Sequence, residues 1–224
     1  MPFVLPYMRA MLRPLTLALL TAGPAAAHPH VFVTAELELR LNDDGELLGV
    51  HVTWAYDEFF SLLVTEELGI DPDGDMVLTA DENAALTDYI AAWPEDYEGD
   101  VYITRDGSAV ILQPVQEHTV TFENGIVREG FYRTFATPQD TITAPVQVQV
   151  YDPFYYVAYE VAPPMTVIGR VGCTATLVKA DLNAANIKVD ALLYGRPASD
   201  VGPDEAFPEV GVAFAETVTV ACSG

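Results

Sequence analysis

Two histidines, His28 and His30, stand one residue apart directly after the alanine run 25–27. A small-residue run of this kind is typical of a signal-peptidase cleavage site. Cleavage after this run would make His28 the first residue of the mature chain and would bring its free amino group and imidazole close to the imidazole of His30. These three nitrogens are good ligands for a divalent transition metal such as zinc, nickel, cobalt or copper. The alternative is that one histidine only follows the cleavage site and the other only begins a strand.

The residues before the histidines are organised as an export signal. Arg9 and Arg13 supply positive charge, the apolar run 15–22 follows, and the alanines end it. We therefore expect residues 1–27 to be a cleaved signal peptide and the mature protein to be periplasmic. An uncleaved anchor is the alternative, but the apolar run is short for a membrane span of about 20 residues.

A second set of candidate ligands consists of oxygen donors. They occupy positions 1, 3, 5 and 12 of an EF-hand calcium loop and are Asp71, Asp73, Asp75 and Glu82. Met76 stands at position 6, where the sharp turn of such a loop favours glycine because a Cβ is disfavoured at positive φ. The spacing predicts a calcium site of low affinity. The alternative is an acidic loop whose aspartates cap the following helix.

A β-hairpin is expected to position the histidines. Apolar and polar residues alternate over 31–41 and again over 48–56, with a turn signal at 42–45 between them. The apolar faces of the two strands align only if the numbers of two opposed residues add up to an odd value. A sum of 87 suits the turn. That register places His30 opposite Asp57.

Asp57 is therefore the third predicted residue of the transition-metal site, either as a ligand or as a carboxylate that orients an imidazole. A register shifted by two residues would instead pair Glu38 with His51. We expect His51 and His118 to be less suitable members of the site. His51 lies several residues along the strand, and the sequence does not place His118.

The oxygen ligands are expected between two helices, 57–69 and 81–92, which form an EF-hand-like insertion over about 57–96. The rest of the chain has short alternating runs with turn signals between them, which is typical of a β-sandwich. The sequence thus predicts a mainly β (α+β) fold and a single β-rich domain over 28–224. Further strands are expected at 101–104, 109–112, 117–122, 126–136, 143–151, 156–162, 173–179, 187–193 and 212–222.

The charge of the chain excludes one class of partner. Its 33 acidic and 10 basic residues give a net charge of −23, which argues against nucleic-acid binding because phosphates demand lysine and arginine. The negative charge attracts cations, although it also serves solubility. No stretch after the signal is long enough to span a membrane. The two cysteines, Cys173 and Cys222, are expected to form a disulfide in an oxidising compartment, and a thiolate metal site is the alternative.

Several segments together resemble a known protein family. They are His28–Val31, Trp54–Ser61, Asp71–Glu82, Tyr151–Pro153 and Phe214–Cys222. The family is a domain of unknown function described as the periplasmic component of an uncharacterised ABC-type transport system. The resemblance covers almost the whole mature chain. It implies a secreted bacterial protein often encoded beside nickel, cobalt or zinc transporters.

We therefore expect a periplasmic accessory protein of a metal transport system, which carries the metal at His28 and His30 and has an inner-membrane metal transporter as its partner. One alternative is a copper-dependent secreted enzyme that uses the same amine and imidazoles. Another is a structural or interaction module stabilised by calcium. The sequence contains no Gly-rich phosphate loop, nucleophile elbow or HExxH motif that would point to another enzyme class.

Overall fold

The computed structural model describes residues 29–94, 97–201, 205 and 207–223. The strands and helices follow one another in this order: β1 (Val31–Leu41), β2 (Glu46–Tyr56), α1 (Glu58–Leu68), α2 (Ala80–Ile90), β3 (Val101–Arg105), β4 (Ser108–Ala109), β5 (Gln116–Glu123), β6 (Ile126–Asp140), β7 (Val146–Val150), β8 (Val157–Val161), β9 (Thr166–Ile168), β10 (Cys173–Val178), α3 (Leu182–Leu192), α4 (Gly211–Phe214) and β11 (Thr217–Cys222). A short 3₁₀ helix covers Ala198–Asp200. The predicted signal peptide and His28 lie outside the described residues.

Two sheets form the body of the described chain. The first sheet has the strand order β5-β6-β2-β1-β8, with β9 also paired to β1, and the second has the order β10-β11-β7-β3-β4. Apolar side chains from the inner faces of both sheets form one buried cluster. The prediction of a mainly β fold with a helical hairpin between the second and third strands is therefore confirmed. Within the described ranges, no helix combines the length and the apolar character that a membrane crossing requires.

The first hairpin buries every second residue of β1, as the alternation predicts. Its register is the one shifted by two, because Glu38 pairs with His51 and Val33 pairs with Tyr56. The favoured register, with His30 opposite Asp57, is wrong. Both registers keep the apolar faces of the two strands together. In the observed register, the pairing is irregular between Arg40 and Leu41, next to the turn.

The two helices after this hairpin begin and end with side-chain and backbone caps. Asp57 caps the start of α1, and Gly69 ends α1 in the left-handed conformation with φ 63°. Thr79 and Glu82 form a reciprocal capping box at the start of α2. Val64 and Leu86 pack in a small apolar cluster with Val127 of β6. This cluster fixes the helical hairpin against the first sheet.

The second sheet holds both cysteines. Cys173 of β10 pairs with Cys222 of β11, and their sulfurs form a disulfide. The predicted bridge is therefore confirmed, which leaves the thiolate metal site without support.

Two predicted strands near the C-terminus are helical at least in part. The segment 187–193 belongs to α3, and the segment 212–222 begins in α4 before β11 starts at Thr217. In α3 the buried positions are four residues apart, because Ala185, Val189 and Leu193 are buried together. Ile187 would share their face in a strand, but it is 69% exposed, as the helical period requires.

Candidate functional site

His30 lies at the start of β1 with its imidazole exposed. Its backbone N–H donates to the carbonyl of Tyr156 at 2.8 Å, and the two rings lie 4.6 Å apart between their centroids. The backbone of this candidate ligand is thus fixed by the sheet. His28, the other predicted imidazole ligand, precedes the described part of the chain.

Asp57 lies at the same end of the hairpin, where β2 gives way to α1. Its Oδ1 accepts a hydrogen bond from the N–H of Phe60 at 2.8 Å, and its Oδ2 accepts one from the N–H of Phe32 at 2.8 Å. Both oxygens are therefore engaged by backbone donors, although each carboxylate oxygen keeps a further lone pair. The structure places Asp57 beside the first residues of β1 and fixes its orientation.

The other two described histidines lie apart from this end of the hairpin. His51 is in the middle of β2, half-buried opposite Glu38. His118 of β5 has its Nε2 2.7 Å from Oε1 of Glu129. Neither lies at the end of the hairpin that holds His30.

Three of the four predicted calcium ligands come together. Asp71, Asp73 and Asp75 each offer a carboxylate oxygen, and these oxygens lie within 4.8 Å of one another. Met76 at position 6 has φ 62°, the left-handed conformation for which this loop position favours glycine. The loop backbone therefore has the sharp turn that the EF-hand frame requires, despite the side chain at this position.

Glu82, the fourth predicted ligand, is not part of that carboxylate cluster. Its Oε2 accepts hydrogen bonds from the N–H of Thr79 at 2.8 Å and from its hydroxyl at 2.7 Å, and its Oε1 accepts one from the N–H of Asp71 at 3.1 Å. These bonds, those from Thr79 first, lower the pKa of Glu82. Glu82 closes the loop by joining its first residue to the following helix.

A buried carboxylate that the sequence analysis missed belongs to β6 and faces the interior. The side chain of Glu129 is fully buried and has three neighbours: Tyr56 Oη donates to Oε2 at 2.6 Å, Trp93 Nε1 donates to Oε1 at 2.8 Å, and His118 is the third. Burial raises the pKa of Glu129, and the hydrogen bonds from Tyr56 and His118 oppose the rise. The inward phase of Glu129 in the alternation of β6 was the signal that could have found it.

A second buried carboxylate, Asp100, lies just before β3. It accepts a hydrogen bond from the hydroxyl of Tyr159 at 2.8 Å. Burial raises the pKa of Asp100 to about 6, against the hydrogen bonds from Tyr159 and Tyr97. This carboxyl group therefore titrates well above the range of an exposed aspartate.

A family model described as "Protein of unknown function (DUF1007)" matches residues 14–222, so the chain belongs to this family. No curated protein matches the chain closely enough to count as a relative.

Proposed function

We propose that the protein is an exported accessory protein of a metal transport system, which holds zinc, nickel, cobalt or copper at its N-terminal His-Pro-His segment. The observation that carries this proposal is the exposed position of His30 before β1, where its backbone N–H is bound to the carbonyl of Tyr156. The carboxylate of Asp57 is held by the N–H of Phe32, two residues further along the chain. A free amino group and the imidazole of His28 would complete a site with three nitrogen ligands.

The small number of ligands in this proposed site suits a carrier rather than a permanent metal centre. A metal bound by few and exposed ligands can be passed on, and the net charge of −23 raises the local concentration of cations. The partner in this proposal is an inner-membrane metal transporter, and the exchange takes place in the periplasm. Asp57 contributes by attracting the ion and by orienting an imidazole.

Calorimetric titration of the mature protein with zinc and nickel tests the proposal. We expect His30→Ala to lose binding, and we expect the same of a protein with one extra residue before His28, because the extension moves the amine and keeps both imidazoles. His51→Ala is the matched control and should bind like the unmodified protein. Binding should weaken in acid, since imidazole ligates only when deprotonated. If both altered proteins bind metal normally, the proposed site is wrong.

A second candidate function is calcium-dependent stabilisation of the helical hairpin, favoured by the converging carboxylates of Asp71, Asp73 and Asp75 and by the left-handed Met76. In this candidate, Glu82 would have to exchange its capping bonds for the ion. Titration with calcium at millimolar concentration should release or take up heat, and Asp73→Ala should abolish the signal. Asp81→Ala removes an acid from the first turn of α2, outside the cluster, and should leave the signal unchanged. Absence of any heat in the unmodified protein would remove this candidate.

A further inference from the structure

A cavity of about 880 Å³ opens at the end of the first sheet, next to the start of β1. Its floor consists of small side chains: Thr34 pairs with Ala55 across β1 and β2, and Ala158 lies beside them on β8. The β5–β6 turn and the segment between β10 and α3 also contribute to the lining. A volume of this size is in the range that holds a small organic molecule.

Aromatic side chains provide the apolar part of the lining. Phe32 is 56% exposed although it lies in a central strand of the first sheet. Tyr155 stacks on Phe214, with ring centroids 3.8 Å apart. These rings offer faces on which an apolar body or a cationic group can pack.

The charges that line the cavity are unbalanced. Four carboxylates and two cationic groups contribute, which leaves two negative charges in excess: Asp57, Glu123, Glu160 and Glu216 against Arg128 and Lys179. Lys179 is shared between two carboxylates, with Nζ 2.6 Å from Glu216 and 3.2 Å from Glu160. Arg128 is likewise shared between two carboxylates, with its Nη2 2.7 Å from Oε1 of Glu36 and its Nε 3.9 Å from Oε2 of Glu123. An anionic ligand would therefore meet cations that are already neutralised.

We infer that this cavity binds an organic cation, a primary or quaternary ammonium attached to an apolar or aromatic body. The excess carboxylates attract the ammonium group, the aromatic faces stabilise it further, and the small floor residues leave room for the body. A bare metal ion fits less well. Among the described residues, the acids that line the cavity do not form a group of three ligand oxygens close enough to share an ion.

Three probes of similar size and different charge test the inference: phenethylammonium, the neutral 2-phenylethanol and the anion 3-phenylpropionate. Each is titrated by calorimetry into metal-free mature protein. We expect phenethylammonium to bind at least ten times more tightly than the alcohol, and the anion to show no binding. Equal affinity for all three probes, or no binding of phenethylammonium, would overturn the inference. The measurement needs no metal, so it stands or falls separately from the proposed function.

Two variants locate the binding site. Ala55→Trp fills the floor and should abolish phenethylammonium binding, whereas Val171→Trp adds the same side chain at a position that is 93% exposed and outside the lining, and should not. Glu160→Gln removes one charge from a side chain that is 75% exposed, so the fold is not at risk, and should weaken phenethylammonium at least threefold without changing 2-phenylethanol. Unchanged binding in Glu160→Gln, or in a folded Ala55→Trp protein, would show that the cation binds elsewhere and would refute the assignment.

Discussion

The fully buried carboxylate of Glu129 should be a main determinant of stability, and replacing it with leucine tests this directly. Three parts of the chain contact it: the end of β2 through Tyr56, the segment after α2 through Trp93, and β5 through His118. Leucine has a similar size but no acceptor. The substitution would therefore leave the tyrosine hydroxyl and the indole N–H without a hydrogen-bond partner inside the protein.

The size of the effect follows from those two donors. A buried donor that loses its acceptor costs about 1–3 kcal/mol, so Glu129→Leu should lower the free energy of unfolding by about 2–6 kcal/mol. His118 adds little to this loss because its side chain is 22% exposed and can reach water. Glu129→Gln keeps an acceptor oxygen and loses the charge. It should cost about 1–3 kcal/mol, since hydrogen bonds to a charged group are roughly twice as strong as neutral ones.

Urea denaturation at neutral pH, followed by tryptophan fluorescence and circular dichroism, measures both variants. Glu66→Leu makes the same change on the exposed side of α1 and should alter the free energy of unfolding by less than about 0.5 kcal/mol. The reasoning fails if Glu129→Leu is as stable as the unmodified protein or more stable. That result would mean that the cost of burying the charge exceeds the value of its hydrogen bonds.

Three further outcomes are expected. Because burial raises the pKa of Asp100 from 3.8 to about 6, its charged form is disfavoured in the folded state, and Asp100 should lower the free energy of unfolding by about 3 kcal/mol as the pH rises through that window. Asp100→Asn should remove this part of the decline in denaturation curves, whereas Glu129, whose pKa burial also raises, keeps its own part. Met76→Gly should raise the free energy of unfolding by about 1 kcal/mol and tighten any calcium binding, because glycine adopts φ 62° without strain. Met76→Ala keeps the Cβ and should give neither gain in urea denaturation or calcium titration. Reduction of the Cys173–Cys222 disulfide, whose cysteines are 49 residues apart, should lower the free energy of unfolding by about 4 kcal/mol in the same denaturation assay. Two reactive thiols in the unreduced, unfolded protein would contradict the disulfide.

Local patterns carried most of the correct sequence predictions. The alternation of β1 identified its buried face because side chains alternate with a period of two in any strand. The aspartates at 71, 73 and 75 also come together, because side chains two residues apart in one tight loop need no long-range information; their role as calcium ligands stays a prediction. The disulfide also followed from composition, since two cysteines allow one intramolecular pairing.

The errors had two origins: local features that the apolar pattern does not show, and contacts between distant parts of the chain. The hairpin register was wrong by two because sums of 87 and 89 bury the same face, and the irregularity at Arg40 that decides between them leaves no mark in the pattern. The segment 187–193 was predicted as a strand from its short apolar run, but its buried residues are four apart and Ile187 between them is exposed. Glu129 was missed because Tyr56 and His118, which satisfy it, come from separate strands that only the folded sheet brings together.

The position of β1 in the first sheet has a consequence for the order in which the protein folds. Val31 pairs in parallel with Val157, which comes 126 residues later, and Glu38 pairs with Thr166. At about 5–20 residues per second, a ribosome makes Val157 roughly 6–25 seconds after Val31. Throughout that interval, the edge of β1 that later pairs with β8 has no native partner and can pair with other chains. Nascent chains that stop before β8 should therefore aggregate, and a chaperone that covers the first strand should raise the yield of folded protein.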